Sequence, residues 1–281
     1  MKKVITFILT ILITFLVCVL CFSLCIKDVI INTLSEDVIK KEISSIMVDS
    51  IEKLYDDVDY DVIEKIETNV GNSYEITTIT EKYFDSVLES LIYDKDVSLP
   101  NTNEEIVKLI NENEYVLNEA GIEVSPSDKE RIANALTIDG KFDKVYQNVV
   151  KSVKNNLSNE EVMLVRVYDK ITTNTFRWIA LSIIVLMVLL IALIKKSYYR
   201  WLCNLGISFA LSGIILAFVI PSLSESISLF LSNNLAGVSP EINFNPIINE
   251  GYICFALCAI SIIVYFIGNK LTMYNKSKYD Y

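Results

Sequence analysis

The sequence contains no histidine, and its 281 residues include only 8 glycines and 5 prolines. Without histidine the chain lacks the commonest general base, the usual switch at physiological pH and the commonest metal ligand. An intramembrane zinc peptidase of the H-E-x-x-H type and a Cys–His nucleophile pair are therefore excluded. Cysteine is missing where a scaffold would need it. Cys18, Cys21, Cys25, Cys203, Cys254 and Cys258 all fall inside apolar runs, and none lies between Lys27 and Arg177. The long polar stretch thus has neither a disulfide framework nor a cysteine zinc site, and the thiols in the apolar runs act as small apolar groups. Strand signals are sparse as well: only YEITTIT at Tyr74–Thr80 alternates long enough to suggest a strand.

What is present is a chain of two characters. Hydrophobic residues make up 52% and the mean hydropathy is +0.41, yet charged residues reach 21% and the net charge is −10. Val4–Ile26 is apolar and carries no charge; at about 1.5 Å per residue it is long enough to cross a bilayer. Trp178–Ile194, Trp201–Pro221 and Tyr252–Ile267 are three further apolar runs, with Trp178, Tyr198, Tyr199, Trp201, Tyr252 and Tyr265 near their ends, where amphipathic rings favour the headgroup level. Lys2 and Lys3 precede the first run as they would in a signal peptide, but the core is too long and no A-x-A site closes it, so an uncleaved anchor is expected.

The expected fold is an all-α integral membrane protein with four transmembrane helices and an extracytoplasmic helical bundle between the first two. Residues 1–26 form the first span. Residues 27–176 form the bundle. Residues 177–281 carry the other three spans, at about 177–195, 201–221 and 251–269, with an outer loop at 222–250. Orientation follows from the cations. Outside 27–176 the basic residues are Lys2, Lys3, Arg177, Lys195, Lys196, Arg200, Lys270, Lys276 and Lys278, and four crossings put all but Arg177 on one face. By the positive-inside tendency that face is cytoplasmic, which places both termini inside and residues 27–176 and 222–250 outside the cell membrane.

The polar stretch holds sixteen basic and thirty-one acidic residues, a net charge of −15. Such a surface repels nucleic acid and suits a basic protein partner. Its periodicity is helical. Ile31, Leu34, Ile39, Ile43, Ile46, Met47, Ile51 and Leu54 form one stripe, which could run straight on from the first span. Thr102 with Glu105 and Ser125 with Asp128 mark two helix starts, the second with Pro126 in the first helical position. Ser158 with Glu161 marks a third, from which Val162, Val165 and Ile171 lead towards the second span without an evident breaker. In the outer loop, Leu223, Ile227, Phe230, Leu231 and Leu235 share one side of SLSESISLFLSNNL, the pattern of an interfacial helix or of a continued third span.

Candidate site residues are few. Asp57, Asp59 and Asp61 alternate as in the opening of a calcium loop. An EF-hand needs Gly at position 6 and Glu at position 12, and counting from Asp57 these are Val62 and Thr68; counting from Asp56 puts Val58 and Tyr60 where ligands belong. The cluster is at most a weak cation site and fits a helix start better. GISFA at Gly206–Ala210 has the G-x-S element of a serine intramembrane protease but no histidine partner for Ser208. No catalytic residue and no cofactor is expected. Small and polar residues instead make helix-packing faces: Thr6, Thr10, Thr14 and Cys18; Gly206, Ala210 and Gly213; and Gly251, Cys254, Cys258 and Ser261. In lipid such faces let helix backbones approach closely, either within this chain or against a membrane partner.

One span, a large outer segment and three further spans resembles the span order of the permeases of mechanotransmitting ABC transporters. That resemblance implies a subunit of a transporter or export complex. Those permeases engage their ATPase through a segment between the second and third spans, where this chain has only KKSYYR at Lys195–Arg200. The expected function is a non-enzymatic surface-binding or scaffolding module held in the lipid bilayer, with the permease-like subunit as the alternative.

Overall fold

The computed structural model describes all residues except 1, 36–38, 56–57, 94–99, 120, 137–143, 145–146, 148–150, 152–157, 197–198, 225–241 and 280–281, and for 159–161 and 271–279 the backbone alone. The described residues are helical and contain no strand. They divide into two units. One comprises Met1–Val29, Tyr168–Ile227 and Asn243–Tyr281; the other comprises Ile30–Val167 with Ser228–Ile242.

The first unit holds four helices long and apolar enough to cross a membrane. The chain enters on α1 (Lys2–Leu34). After α7 (Asn159–Thr172) it continues with α8 (Asn174–Lys195), α9 (Arg200–Ile214) and α10 (Asn245–Tyr279). Helix α9 loosens into a π turn at Ile215–Val219 before Ile220–Ser222. Pro221 explains the wide turn: its ring crowds the carbonyl four residues back and it donates no N–H, so the ladder opens by one residue rather than break. Helices α1 and α10 outrun the apolar segments that announce them, because polar flanks keep helical geometry once a long helix is nucleated.

The entry into the second span differs from expectation. The helix does not run through: α7 ends at Thr172, and Thr173 adopts an extended conformation (φ −67°, ψ 144°). Its hydroxyl accepts from the Phe176 N–H at 3.2 Å, which makes it the N-cap of α8. At the other end of α8, Lys196 closes the helix in the left-handed conformation (φ 48°).

The second unit is built from α2 (Lys40–Leu54), α3 (Tyr60–Asn72), α4 (Tyr74–Tyr93), α5 (Asn103–Glu119) and α6 (Pro126–Leu136). Helix α2 packs on α3 and α6, and α5 packs on α3, α4 and α6. Their stripes meet in one core centred on Ile43, Met47, Ile66, Ile79, Leu109 and Ile132. Burying each such side chain contributes about 1.5–3 kcal/mol. The strand expected at Tyr74–Thr80 is the first part of α4. Ile76, Ile79 and Tyr83 are each no more than 2% exposed and lie at helical spacing, so they bury together only if the segment is a helix. The Ser125–Asp128 start forms as a reciprocal cap: the Asp128 N–H donates to Ser125 Oγ at 3.2 Å and the Ser125 N–H to Asp128 Oδ2 at 3.3 Å.

Candidate functional site

The most developed polar arrangement in the membrane unit joins α1 to α9. Thr6, Thr10 and Thr14 sit four residues apart and are each less than 8% exposed. Their hydroxyls donate back along the helix, Thr6 to Lys2 O, Thr10 to Thr6 O and Thr14 to Thr10 O, at 2.8–3.0 Å. Three residues of α9 with the same spacing meet them. Asn204 Nδ2 donates to Thr10 Oγ1 at 3.0 Å, Ser208 Oγ donates to Thr10 O at 3.0 Å, and Ser212 Oγ donates to Thr14 O at 3.1 Å. Ser208 and Ser212 are fully buried. Asn204, Ser208 and Ser212 were not singled out from the sequence as one face, although their four-residue spacing is legible there. Ser208, the serine of GISFA, donates to a backbone carbonyl, that of Thr10.

A second seam joins α9 to α10 through small residues. At Gly206 an added Cβ would lie 3.2 Å from Ile262 Cγ1 and 3.6 Å from the Cys258 carbonyl. At Gly213 it would meet the Phe255 ring at 2.9 Å and the Gly251 carbonyl at 3.0 Å. At Gly251 it would lie 2.8 Å from both the Cβ and the backbone N of Ala217, inside the π turn. Ala210 is half-buried on the same helix as Gly206 and Gly213. Cys254 is buried against α1, its Sγ 3.9 Å from that of Cys21, and Cys258 is half-buried. All six thiols are free.

Arg177, the one cation that the charge count leaves on the opposite face from the others, is tied to α1. Its Nε donates to Ser23 Oγ at 3.2 Å and its Nη2 to Ser23 O at 2.7 Å, while Ser23 Oγ donates to Ile171 O. A guanidinium satisfied this way is held in place by neutral acceptors rather than by a carboxylate.

In the second unit, ion pairs and hydrogen bonds surround the core. Lys82 Nζ reaches Glu105 Oε2 at 2.8 Å and Asn101 O at 2.9 Å. Burial opposes ionisation of Glu105, but the Lys82 hydrogen bond and charge outweigh it and hold the carboxyl below its ordinary pKa. The Ser125 hydrogen bonds do the same for Asp128, with help from Tyr55, whose hydroxyl donates to Asp128 Oδ2 at 3.1 Å. Burial and that bond push the Tyr55 phenol up to about 12. Lys129 Nζ pairs with Glu114 at 2.6 Å.

Asp59 stands at the N-cap position of α3 and Asp61 in its first turn, both exposed, while Asp57 lies outside the described residues. Neither Asp59 nor Asp61 belongs to a convergent group: among the described residues no three or more of His, Cys, Asp and Glu come together in a way that could hold a metal ion. The amphipathic segment expected across 223–235 lies almost wholly outside the described residues. A shallow cavity of about 310 Å³ is lined by Asn32, Ser35, Asn72, Ser73, Tyr74 and Thr77. Beside it the Lys40 stem crosses Gly71, where any Cβ would overlap it.

No protein-family model, curated protein or solved structure matches the chain. Its polar groups fasten helices to one another and cap their ends.

Proposed function

We propose that the protein is a non-enzymatic surface module of the cell membrane: an acidic helical body, residues 27–176, lying outside the cell between the first two of four spans and binding or scaffolding a protein partner. The observation that carries this reading is the division of labour along the chain. One unit has four helices fit for lipid, fastened through Thr10, Ser208 and Gly251; the other closes an apolar core of its own beneath a sequence with twice as many acids as bases. A net charge of −15 favours a partner with a basic face and an association that weakens with salt. The alternative, an accessory subunit of an ABC-type exporter, would need a helix face free for assembly. The small-residue face of α9 is occupied by α10, so such a subunit would have to assemble through another face, such as the exposed apolar side of α8 around Leu186 and Leu193.

In-cell photo-crosslinking tests the proposal. A photoreactive residue at Tyr60 or Tyr74, both more than 70% exposed, is expected to give one discrete protein adduct, which does not form when the cells are washed at high salt before irradiation. A ladder of unrelated adducts, or none at any exposed position of the second unit, would defeat it. A dominant adduct with an ATPase would favour the exporter.

A further inference from the structure

The helix that leads into the second span has an exposed face unlike the rest of its acidic unit. On α7, Met163 is 66% exposed, Leu164 65% and Val167 44%, and Arg166 and Lys170 are exposed with them. At 100° per residue, Arg166, Lys170, Met163, Val167 and Leu164 follow one another around an arc of about 160°, on which Glu160, in the first turn, also falls between Val167 and Leu164. Asp169 lies on the far side, about 200° from Val167. Three large apolar side chains with two cations along one edge are an unusual solvent face in a segment of net charge −15, and they match the pattern of a helix that lies in a membrane surface.

The position of α7 in the chain says which surface. Thr173 alone separates it from α8, one of the four helices fit to span a membrane. Val167 lies five residues, about 7.5 Å of helix, before the end of α7 at Thr172, which is close to the thickness of a headgroup layer. The end of the helix is closed by side-chain hydroxyls. Thr172 Oγ1 donates to both Tyr168 O and Asp169 O at 3.0 Å, and Thr173 Oγ1 donates to Lys170 O at 2.8 Å. Side-chain hydroxyls thus add partners to the carbonyls of the last turn. The two cations stand in the last two turns, nearest the span, where anionic phosphates would lie.

We infer that the Met163–Leu164–Val167 face of α7, with Arg166 and Lys170 at its edge, is a binding surface for the anionic headgroup layer of the bilayer that α8 crosses. The apolar side chains enter the acyl boundary while the cations meet lipid phosphates. This inference goes beyond the surface-module reading and does not depend on any protein partner.

The test uses the purified full-length chain in nanodiscs, which separates it from partner binding. A photoreactive residue replaces Leu164 or, in a second variant, Val167; both positions are exposed, so neither change disturbs a core. The control replaces Tyr115, which is 54% exposed on α5. In discs containing phosphatidylglycerol, lipid adducts are expected at 164 and 167 in at least tenfold greater yield than at 115. The Arg166→Gln and Lys170→Gln variants are expected to lower occupancy of the headgroup layer about fivefold each in anionic discs and to change little in zwitterionic ones. Protein adducts at 164 and 167, no adducts at either, yields equal to the control, or a response to the glutamine variants that is the same in both discs would each overturn the inference.

Discussion

Ser208 and Ser212 illustrate what a single hydroxyl does in this molecule. Each donates across a helix interface to a carbonyl that already accepts a bond within α1, so each adds an extra partner rather than completing the ladder. Measured values for such bonds in membranes average about 0.6 kcal/mol, so Ser208→Ala and Ser212→Ala should each lower stability by about that amount and add when combined in so far as they act independently; unfolding in detergent reads the difference. The Thr face of α1 was visible from its four-residue spacing. Its pairing with Asn204, Ser208 and Ser212 was not, because a helical hydroxyl can satisfy itself on the preceding turn, as Ser261 does on Leu257 O. In the second unit, Lys82 holds a largely buried carboxylate. Lys82→Met should destabilise by about 1–2 kcal/mol, since Glu105 would keep its burial and lose its partner. The sign with pH is fixed: Glu105 and Asp128 have lowered pKa values, so their contribution is complete above the ordinary values of 4.5 and 3.8 and is lost as the pH falls through the lower folded values. Tyr55 works at the other end, stabilising below pH 10 and ceasing to do so as the pH rises through about 12. Melting curves from pH 3 to 7 should show Lys82→Met flattening the acid limb.

Helices meet here at contacts with unequal tolerance. Gly251 lies against the backbone of Ala217, Gly213 against a ring and a carbonyl, and Gly206 chiefly against an isoleucine side chain. Backbone cannot move aside as a side chain can, so the cost of alanine should fall in the order Gly251, Gly213, Gly206, with about 1–3 kcal/mol at the first. Thermal midpoints of the three variants in one detergent give the order directly, and the reverse order would mean that the α9–α10 seam is looser than its distances imply. The break at Thr173 belongs to the same level. Thr173→Ala removes the hydroxyl that accepts from Phe176 N and should cost about 1 kcal/mol, whereas Thr173→Ser should cost little. Residues 158–194 contain no proline or glycine to announce that break; the signal available was the Thr172–Thr173–Asn174 run of capping residues, which periodicity alone passes over.

For the molecule as a whole, the decisive measurement is which face of the membrane each part occupies. In a cysteine-free background, a cysteine at Ser127 should react with an impermeant maleimide on intact cells, while one at Ser197 should react only after permeabilisation; the opposite pattern would invert the orientation assigned by the cations. The helical class, the four apolar helices and the acidic character of the segment between the first two were legible in the sequence because each depends on local sums, of transfer free energy over about twenty residues or of charge, that need no knowledge of neighbours. Tyr74–Thr80 became helix because burying Ile76, Ile79 and Tyr83 together contributes several kcal/mol, against the few tenths at stake in the strand preference of a seven-residue alternation. The identity of each helix's neighbour, the meeting of Ser208 with Thr10 and of Gly251 with Ala217, and the exposure of Met163 and Leu164 were settled only in three dimensions, because packing compares many pairs of faces that are alike in composition and chooses by shape.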